Sequence, residues 1–283
     1  MTDLLGLLAL ALVATGLIVL GWWLLVATEG VYLGRRVVIG LYDLFAPRYD
    51  RVKAYYREYE QRYLADPIMR AIAPHRSPLV LDVAAGTGRL PLALMRHPDF
   101  QGRVIALDLS RQMLHFAARN LRLYDDRVTF LWAAAEQLPF EDHSFDVVTC
   151  LEALEFMTRP EAVLRECVRV LRPGGLLLVT QRINTRLMPG KTWTSGQVQS
   201  LLEACGVVES HAQIWQVDYR KVWGRKAGEA PTVGARPAAE VVRCPVCASV
   251  GLRPTDAAWG CENCGAAVPV GADGVVELAA RVG

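Results

Sequence analysis

The 283-residue chain carries 31 Lys and Arg against 29 Asp and Glu, a formal net charge of +2. So even a balance provides no broad basic field and argues against nucleic acid as a partner. Hydrophobic residues make up 52% of the chain, and the length allows one large or two modest domains.

Part of the apolar excess lies at the start. Residues 4–28 contain no charged side chain. At ~1.5 Å per residue a helix of that length covers the ~30 Å hydrocarbon core of a bilayer. Trp22 and Trp23 stand near its end, where interfacial aromatics belong. A cleaved signal peptide would want a basic start, a shorter apolar core and a small-residue cleavage site. Met1-Thr2-Asp3 supplies no base and the run is too long, so residues 4–28 read as a retained transmembrane helix. Arg35 and Arg36 follow it and Asp3 precedes it, which predicts a single-pass cell-membrane protein with its bulk in the cytoplasm.

Residues 37–77 alternate tyrosines and arginines with apolar positions at roughly helical spacing. Two readings stand open, a juxtamembrane helix on the bilayer surface and a lid over a site. Residues 79–90, LVLDVAAGTGRL, then run from an apolar strand through Asp82 and a glycine loop, Gly86 and Gly88, into an amphipathic segment. Glycines let a backbone approach a ligand closely, and the following helix start offers N–H groups to an anion. A dinucleotide fingerprint would place a third glycine at Pro91. A plain strand-to-helix turn is the bland alternative.

Residues 103–109, RVIALDL, form a second apolar run ending in Asp108, twenty positions beyond Gly88. An acid at the end of a second strand can accept both hydroxyls of a ribose. Ser110 suits the N-cap of the helix that follows. Residues 127–132 predict a third strand, 145–150 a fourth, 160–171 an amphipathic helix, 172–175 a turn and 176–180 a fifth strand. Residues 194–205 predict another helix stopped by Gly206, and 207–214 with 216–222 a closing antiparallel pair.

Four stretches carry a family resemblance. DVAAGTG, with Asp82, resembles the first motif of class I S-adenosylmethionine (SAM)-dependent methyltransferases. Residues 133–150, AAAEQLPFEDHSFDVVTC, resemble that family's "GDAxxLPFxDxSFDxV" stretch, and RVLRPGG at 169–175 is another of its hallmarks. LYDLFAPRYD, at 41–50, is similar to the opening of the ubiquinone/menaquinone-biosynthesis type, where this region covers the active site. The resemblance covers about residues 42–223 and implies an α/β fold with a seven-stranded Rossmann-like sheet over 78–225, binding SAM. By that resemblance Asp82 and Leu151 face the methionine end, and Ala84, Gly86 and Gly88 admit the cofactor. Asp108 holds the ribose, Leu109, Ala135 and Glu136 also contact the cofactor, and Met113 belongs to the adenine pocket, although taken alone it reads as core. The family often has an Asp at the position of Ala134, and Glu136 is the nearest substitute. No residue is marked as a catalytic base; His143 and His97 qualify by type alone.

Residues 226–242 are rich in Gly, Pro and Ala and read as a flexible linker. Residues 243–283 hold Cys244-x-x-Cys247 and, after thirteen positions, Cys261-x-x-Cys264. Two such knuckles complete a closed, structural tetrahedral Zn²⁺ shell, and a module so small needs the metal in order to fold. The scattered Cys150, Cys167 and Cys205 suit buried thiols in a reducing compartment. The stretch CENCGAAVPVGADGVVEL resembles the small zinc-binding activator subunit of tRNA and release-factor methyltransferases. A cis-fused activator and a plain docking ribbon both fit.

Taken together, the sequence predicts a membrane-anchored SAM-dependent methyltransferase acting on a small lipophilic acceptor, a quinone precursor or a lipid. Two rivals stand beside it. One is an enzyme that captures tRNA or protein through the ribbon, helped by a basic cluster at Arg220, Lys221, Arg225 and Lys226. The other is a non-catalytic SAM-binding scaffold.

Overall fold

The computed structural model describes residues 2–53, 56–183, 186–255 and 257–278. Helix α1 (Thr2–Trp22) continues through a π-helical turn, Trp23–Ala27. Together Leu4–Ala27 form a 24-residue helix of mean hydropathy 2.6, none of it buried inside the protein, long and apolar enough to cross a membrane. Its end is tied to the folded body. The Trp23 indole donates to the Leu187 carbonyl at 3.0 Å, stacks on Tyr32 at 5.0 Å, and Tyr32 donates to the Pro189 carbonyl at 2.7 Å.

Three helical stretches follow: α2 (Arg35–Lys53), α3 (Arg57–Glu60) and, after a π turn, α4 (Asp66–Ile72). Then comes β1 (Leu79–Val83), α5 (Arg89–Met95), β2 (Arg103–Asp108), α6 (Arg111–Asn120), β3 (Val128–Trp132) and β4 (Phe145–Cys150). The domain continues with α7 (Pro160–Val170), β5 (Leu171–Arg182), α8 (Ser195–Ala204), β6 (Val207–Gln216) and β7 (Tyr219–Lys226). The C-terminal module adds α9 (Ala238–Val241), β8 (Leu252–Pro254), β9 (Ala258–Cys261), β10 (Ala267–Pro269) and β11 (Val275–Glu277).

The main sheet runs β11-β3-β2-β1-β4-β5-β7-β6. Strands β1 to β5 are parallel, and β7 enters antiparallel between β5 and β6. The expected seven strands are all present, and β11 pairs in parallel with β3 to add an eighth. β1 is buried at all five positions, as a strand covered on both faces must be. Leu79, Leu81 and Val83 point to one layer with Val163 and Leu164 of α7 and Leu202 of α8. Val80 points to the other, with Leu90 and Leu94 of α5 and Leu114 of α6. The strand order reverses at β1 and β4, so a crevice opens at their carboxyl ends.

Two segments differ from expectation. The Arg172–Gly175 turn lies inside β5: Phe145 pairs with Leu171 and Val147 with Leu176, so the extra residues bulge out while the strand continues. The linker region is packed. Asp146, 1% exposed, accepts the backbone N–H groups of Val233 (2.9 Å) and Gly234 (3.0 Å), and Ala238, Ala239, Val241 and Val242 are buried. Small side chains that resemble a mobile linker in composition here fit closely against the sheet layer.

Candidate functional site

Register places the first acid. Asp82 pairs with Thr149 of β4, whose hydroxyl donates to Asp82 Oδ1 at 2.7 Å. Burial pushes the Asp82 carboxyl up to about 7; the Thr149 bond opposes the shift and the nearby Asp108 charge adds to it. The chain then turns sharply, with Ala84, Gly86 and Gly88 all at positive φ. A Cβ on Gly86 would meet nothing within 4 Å, so this backbone faces open cleft. A Cβ on Gly88 would stand 2.5 Å from Leu121, so this glycine is where α6 presses on the loop.

The second acid clamps that loop. Asp108 Oδ2 accepts the Gly86 N–H at 2.8 Å and Oδ1 the Ser110 N–H at 2.8 Å. Burial raises its carboxyl and these backbone donors counter the rise. Ser110 caps α6, its Oγ accepting the Met113 N–H at 3.1 Å. One cleft is lined by Ala84, Gly86, Asp108, Leu109, Ala135, Glu136 and Leu151, all expected from sequence. Asp82 opens onto its continuation, beside Gly86, Thr87, Arg89 and Glu152. Gly88 lies behind the loop, and Met113 is sealed in the interior at 1% exposure and does not line the cleft.

Helix α2 roofs the cleft with Arg35, Val38, Ile39, Tyr42 and Tyr49. Four polar side chains latch it down. Arg35 meets Glu136 at 3.1 Å, and Lys53 meets Glu152 at 3.2 Å. Asp43 accepts from Ser110 Oγ and, at 3.2 Å, from the Gln112 N–H; Asp50 accepts from Thr87 Oγ1 and, at 2.8 Å, from Asn120. Helix α2 therefore covers the cleft, an arrangement compatible with both readings of this stretch.

Several site residues were not visible in sequence. Arg89 pairs with Glu60 at 2.6 Å and Glu152 at 2.5 Å, and lies 4.7 Å from the Trp215 ring. Glu152 sits at φ +50 just past β4, its carboxyl held below the usual range because Lys53 and Arg89 outweigh its burial. A strand-end acid after an apolar run was the signal available for Glu152; nothing local marked Arg89. His143 lies at the opposite end of β4, near Lys226 at 3.1 Å, and His97 is beside Asp66 at 3.5 Å; neither lines the cleft. The basic cluster is spent internally. Lys221 donates to the Tyr63 carbonyl, Arg225 to Gly174 and Ala71, and Lys226 to Val168, Arg169 and Leu171.

Cys244, Cys247, Cys261 and Cys264 bring their Sγ atoms within 4.8 Å of one another, two pairs standing at 3.6 Å. A tetrahedral Zn²⁺ with ~2.3 Å bonds spaces its sulfurs at roughly 3.8 Å, so the four thiols fit that metal.

Comparison with known proteins agrees with this geometry. Residues 81–179 match the methyltransferase-domain family. The chain is 36% identical over 144 residues to the demethylmenaquinone methyltransferase of Clavibacter sepedonicus, covering 51% of this chain and 57% of the relative. It is 44% identical over 105 residues to the ubiquinone/menaquinone biosynthesis C-methyltransferase UbiE of Hahella chejuensis, covering 36% and 42%. The chain thus spans about half the length of the curated relatives it matches. Among solved structures, the [4+2]-cyclase SpnF superposes with a TM-score of 0.58 at 20% identity, over 69% of this chain and 97% of its own. A chain from the complex of the Haloferax volcanii Trm112 methyltransferase activator with a methyltransferase superposes at 0.53 and 20%, over 66% and 98%. At such identity these likenesses establish the fold. Residues 81–179, which contain the glycine loop and its two capping acids, therefore match a methyltransferase domain of the α/β type.

Proposed function

We propose that this protein is a membrane-tethered SAM-dependent methyltransferase whose acceptor is a small lipophilic molecule of the quinone-precursor kind. The observation that carries the reading is the pair of acids, Asp82 and Asp108, opening on one crevice around Gly86. Each Asp108 oxygen accepts one backbone N–H and keeps lone pairs for ribose hydroxyls. Asp82 suits the cofactor's ammonium and Arg89 its carboxylate, while Leu109, Ala135 and Glu136 suit the adenine and Leu151 the methionine chain. Bound SAM supplies a methyl group on a sulfonium sulfur. What the chain contributes is orientation: in-line transfer needs acceptor and methyl carbon held close and aligned, and positioning of that kind is worth several kcal/mol. The roof formed by α2 also keeps water out.

A lipophilic acceptor is supported by the wall that Tyr42, Tyr49, Phe156 and Met157 add to the cleft, and by the names of the curated relatives. The unburied helix Leu4–Ala27 serves as the span, and Arg35 and Arg36 after it favour a cytoplasmic domain. The bond from its Trp23 to Leu187 favours a retained anchor over a cleaved signal. The four cysteines hold a structural Zn²⁺. Capture of RNA through residues 220–226 is disfavoured, because Lys221, Arg225 and Lys226 already serve the protein's own carbonyls and Arg220 donates to the Ser195 hydroxyl.

The test is incubation of detergent-solubilised protein with isotopically labelled SAM and separate lipid, RNA and protein fractions. Label in the lipid fraction supports the reading. Label confined to RNA or protein replaces the acceptor class, and absence of SAM binding by calorimetry overturns the enzyme.

A further inference from the structure

The cleft has a proton problem that its cofactor residues do not solve. Methylation of a neutral ring or hydroxyl releases a proton, which must leave a covered site. The carboxylates on the cleft wall are already committed. Asp108 accepts two backbone N–H groups, Glu136 is paired with Arg35, and Glu152 with Lys53 and Arg89. Asp82 holds Thr149 at the amino-acid end.

Tyr42 differs. It sits on α2 and lines the cleft, with Phe156 edge-on at 5.8 Å and Tyr49 tilted at 6.1 Å, so the three rings form an aromatic wall against which a flat acceptor can pack. Its hydroxyl donates to Glu29 Oε2 at 2.8 Å. Glu29 lies outside the cleft lining, in the turn joining the apolar helix to α2, where it adopts φ +50. We propose that Tyr42 and Glu29 form a proton relay that carries the hydroxyl proton of a phenolic acceptor out of the cleft. This rests on the methyl-transfer reading above.

In the step, the acceptor hydroxyl gives its proton to Tyr42 Oη while the Tyr42 proton passes to Glu29. The electron pair freed on the acceptor forms the new bond to the methyl carbon, and the pair of the broken carbon–sulfur bond stays on sulfur. Tyr42 is the catalytic residue and Glu29 acts through it. Burial first, then the Glu29 charge, push the Tyr42 phenol well above its ordinary value. The phenol therefore stays protonated between turnovers and passes protons on, rather than acting as a standing phenolate. The other titratable groups around the pair are Tyr49 and Glu155, whose charges act on Tyr42, and Arg182, on which the Glu29 charge acts. Glu155 accepts from Tyr219 and meets Arg182 at 3.5 Å.

The test uses the solubilised full chain loaded with S-adenosylhomocysteine, and 1-naphthol as a phenolic probe whose ionised form has its own absorption band. In the wild type, bound naphthol should ionise about one pH unit above free naphthol, because the Glu29 carboxylate behind Tyr42 repels the naphtholate. Tyr42→Phe removes the relay. Glu29→Gln keeps an oxygen to accept the Tyr42 hydrogen bond but cannot take the proton. Both variants should bind naphthol and unfold at the wild-type temperature, and Glu29→Gln should return its ionisation to the free value. Transfer of labelled methyl to a reduced, demethylated naphthoquinol should fall roughly 10²-fold in both. An unshifted ionisation in the wild type, a shift retained in Glu29→Gln, or absence of naphthol binding overturns the relay. Loss of SAM binding itself overturns the enzyme reading instead, and calorimetry with SAM separates the two.

Discussion

Asp82 carries a charge problem that a cationic ligand can resolve. Its carboxyl sits near pH 7 in the folded protein because burial penalises the charge, against 3.8 in its ordinary state. Between those values the folded chain holds a proton that the unfolded chain has lost. This group's contribution to stability is thus present at acidic pH and falls as pH rises toward 7. Ligand binding should follow the opposite slope. An ammonium needs the carboxylate, so SAM should bind more tightly as pH rises through 7 and should release a proton on binding. Calorimetry in two buffers of different ionisation enthalpy measures that proton, and Asp82→Asn should abolish it and weaken SAM at least tenfold. The two loop glycines provide a second contrast. Gly88→Ala adds Leu121 overlap to the strain of φ +83 and should cost about 2–4 kcal/mol of stability. Gly86→Ala faces open space at φ +53, so it should cost only about 1 kcal/mol but project a methyl into the cleft and impair SAM binding. Thermal unfolding and calorimetry on both variants check this. Residues whose role is local, such as Asp82, Gly86 and Asp108, were legible because strand end and glycine turn are written in adjacent letters. Arg89 and Glu152 were not, since each gains its partner from a distant segment.

At the scale of elements, caps and periodicity were good guides. Ser110 caps α6 and Pro160 opens α7 where expected, and Thr194 at the start of the expected 194–205 helix proves to be the cap of α8. What the sequence withheld was how α2 is held. Its pattern of tyrosines and arginines suited a bilayer surface and a roof alike, and Asp43 and Asp50 hold it over the cleft by reaching the start of α6 and the glycine loop. A carboxylate at the N-terminus of a helix is favoured by the exposed N–H groups there, so Asp43 is a latch with a directional attraction. Asp43→Ala and Asp50→Ala should each loosen the roof without unfolding the sheet. Amide hydrogen exchange should speed up about tenfold across residues 38–50, while β1 and β4 keep wild-type protection. Uniform acceleration through the strands would mean that α2 is part of the cooperative core and not a separately opening lid.

For the molecule as a whole, the C-terminal module is continuous with the sheet. β11 pairs with β3, where Val275 meets Phe130 and Glu277 meets Trp132. Arg111, the first residue of α6, holds Asp273 at 2.7 Å and Glu277 at 3.0 Å, and His115 meets Asp273 at 2.9 Å. Burial works against the Asp273 carboxylate, but Arg111 and His115 outweigh it and keep it well below the usual range. The cysteine spacing announced the knuckles; the docking strand was only three residues long and left no periodic signal. The consequence is a link from thiols to cofactor site: the cysteine cluster fixes β8 to β10, these lead into β11, and Arg111 follows directly on Asp108 and Ser110. If the four cysteines hold zinc, its removal should free the module, uncover the β3 edge and loosen the start of α6. Chelation of the full chain should lower the unfolding temperature by roughly 5 °C or more, a loss of about 2 kcal/mol for a chain of this size, and weaken SAM binding. Arg111→Ala tests the route, because it should weaken SAM binding while zinc content stays at one per chain. Wild-type SAM affinity in both the chelated protein and Arg111→Ala would show that the module stabilises the sheet edge without reaching the site.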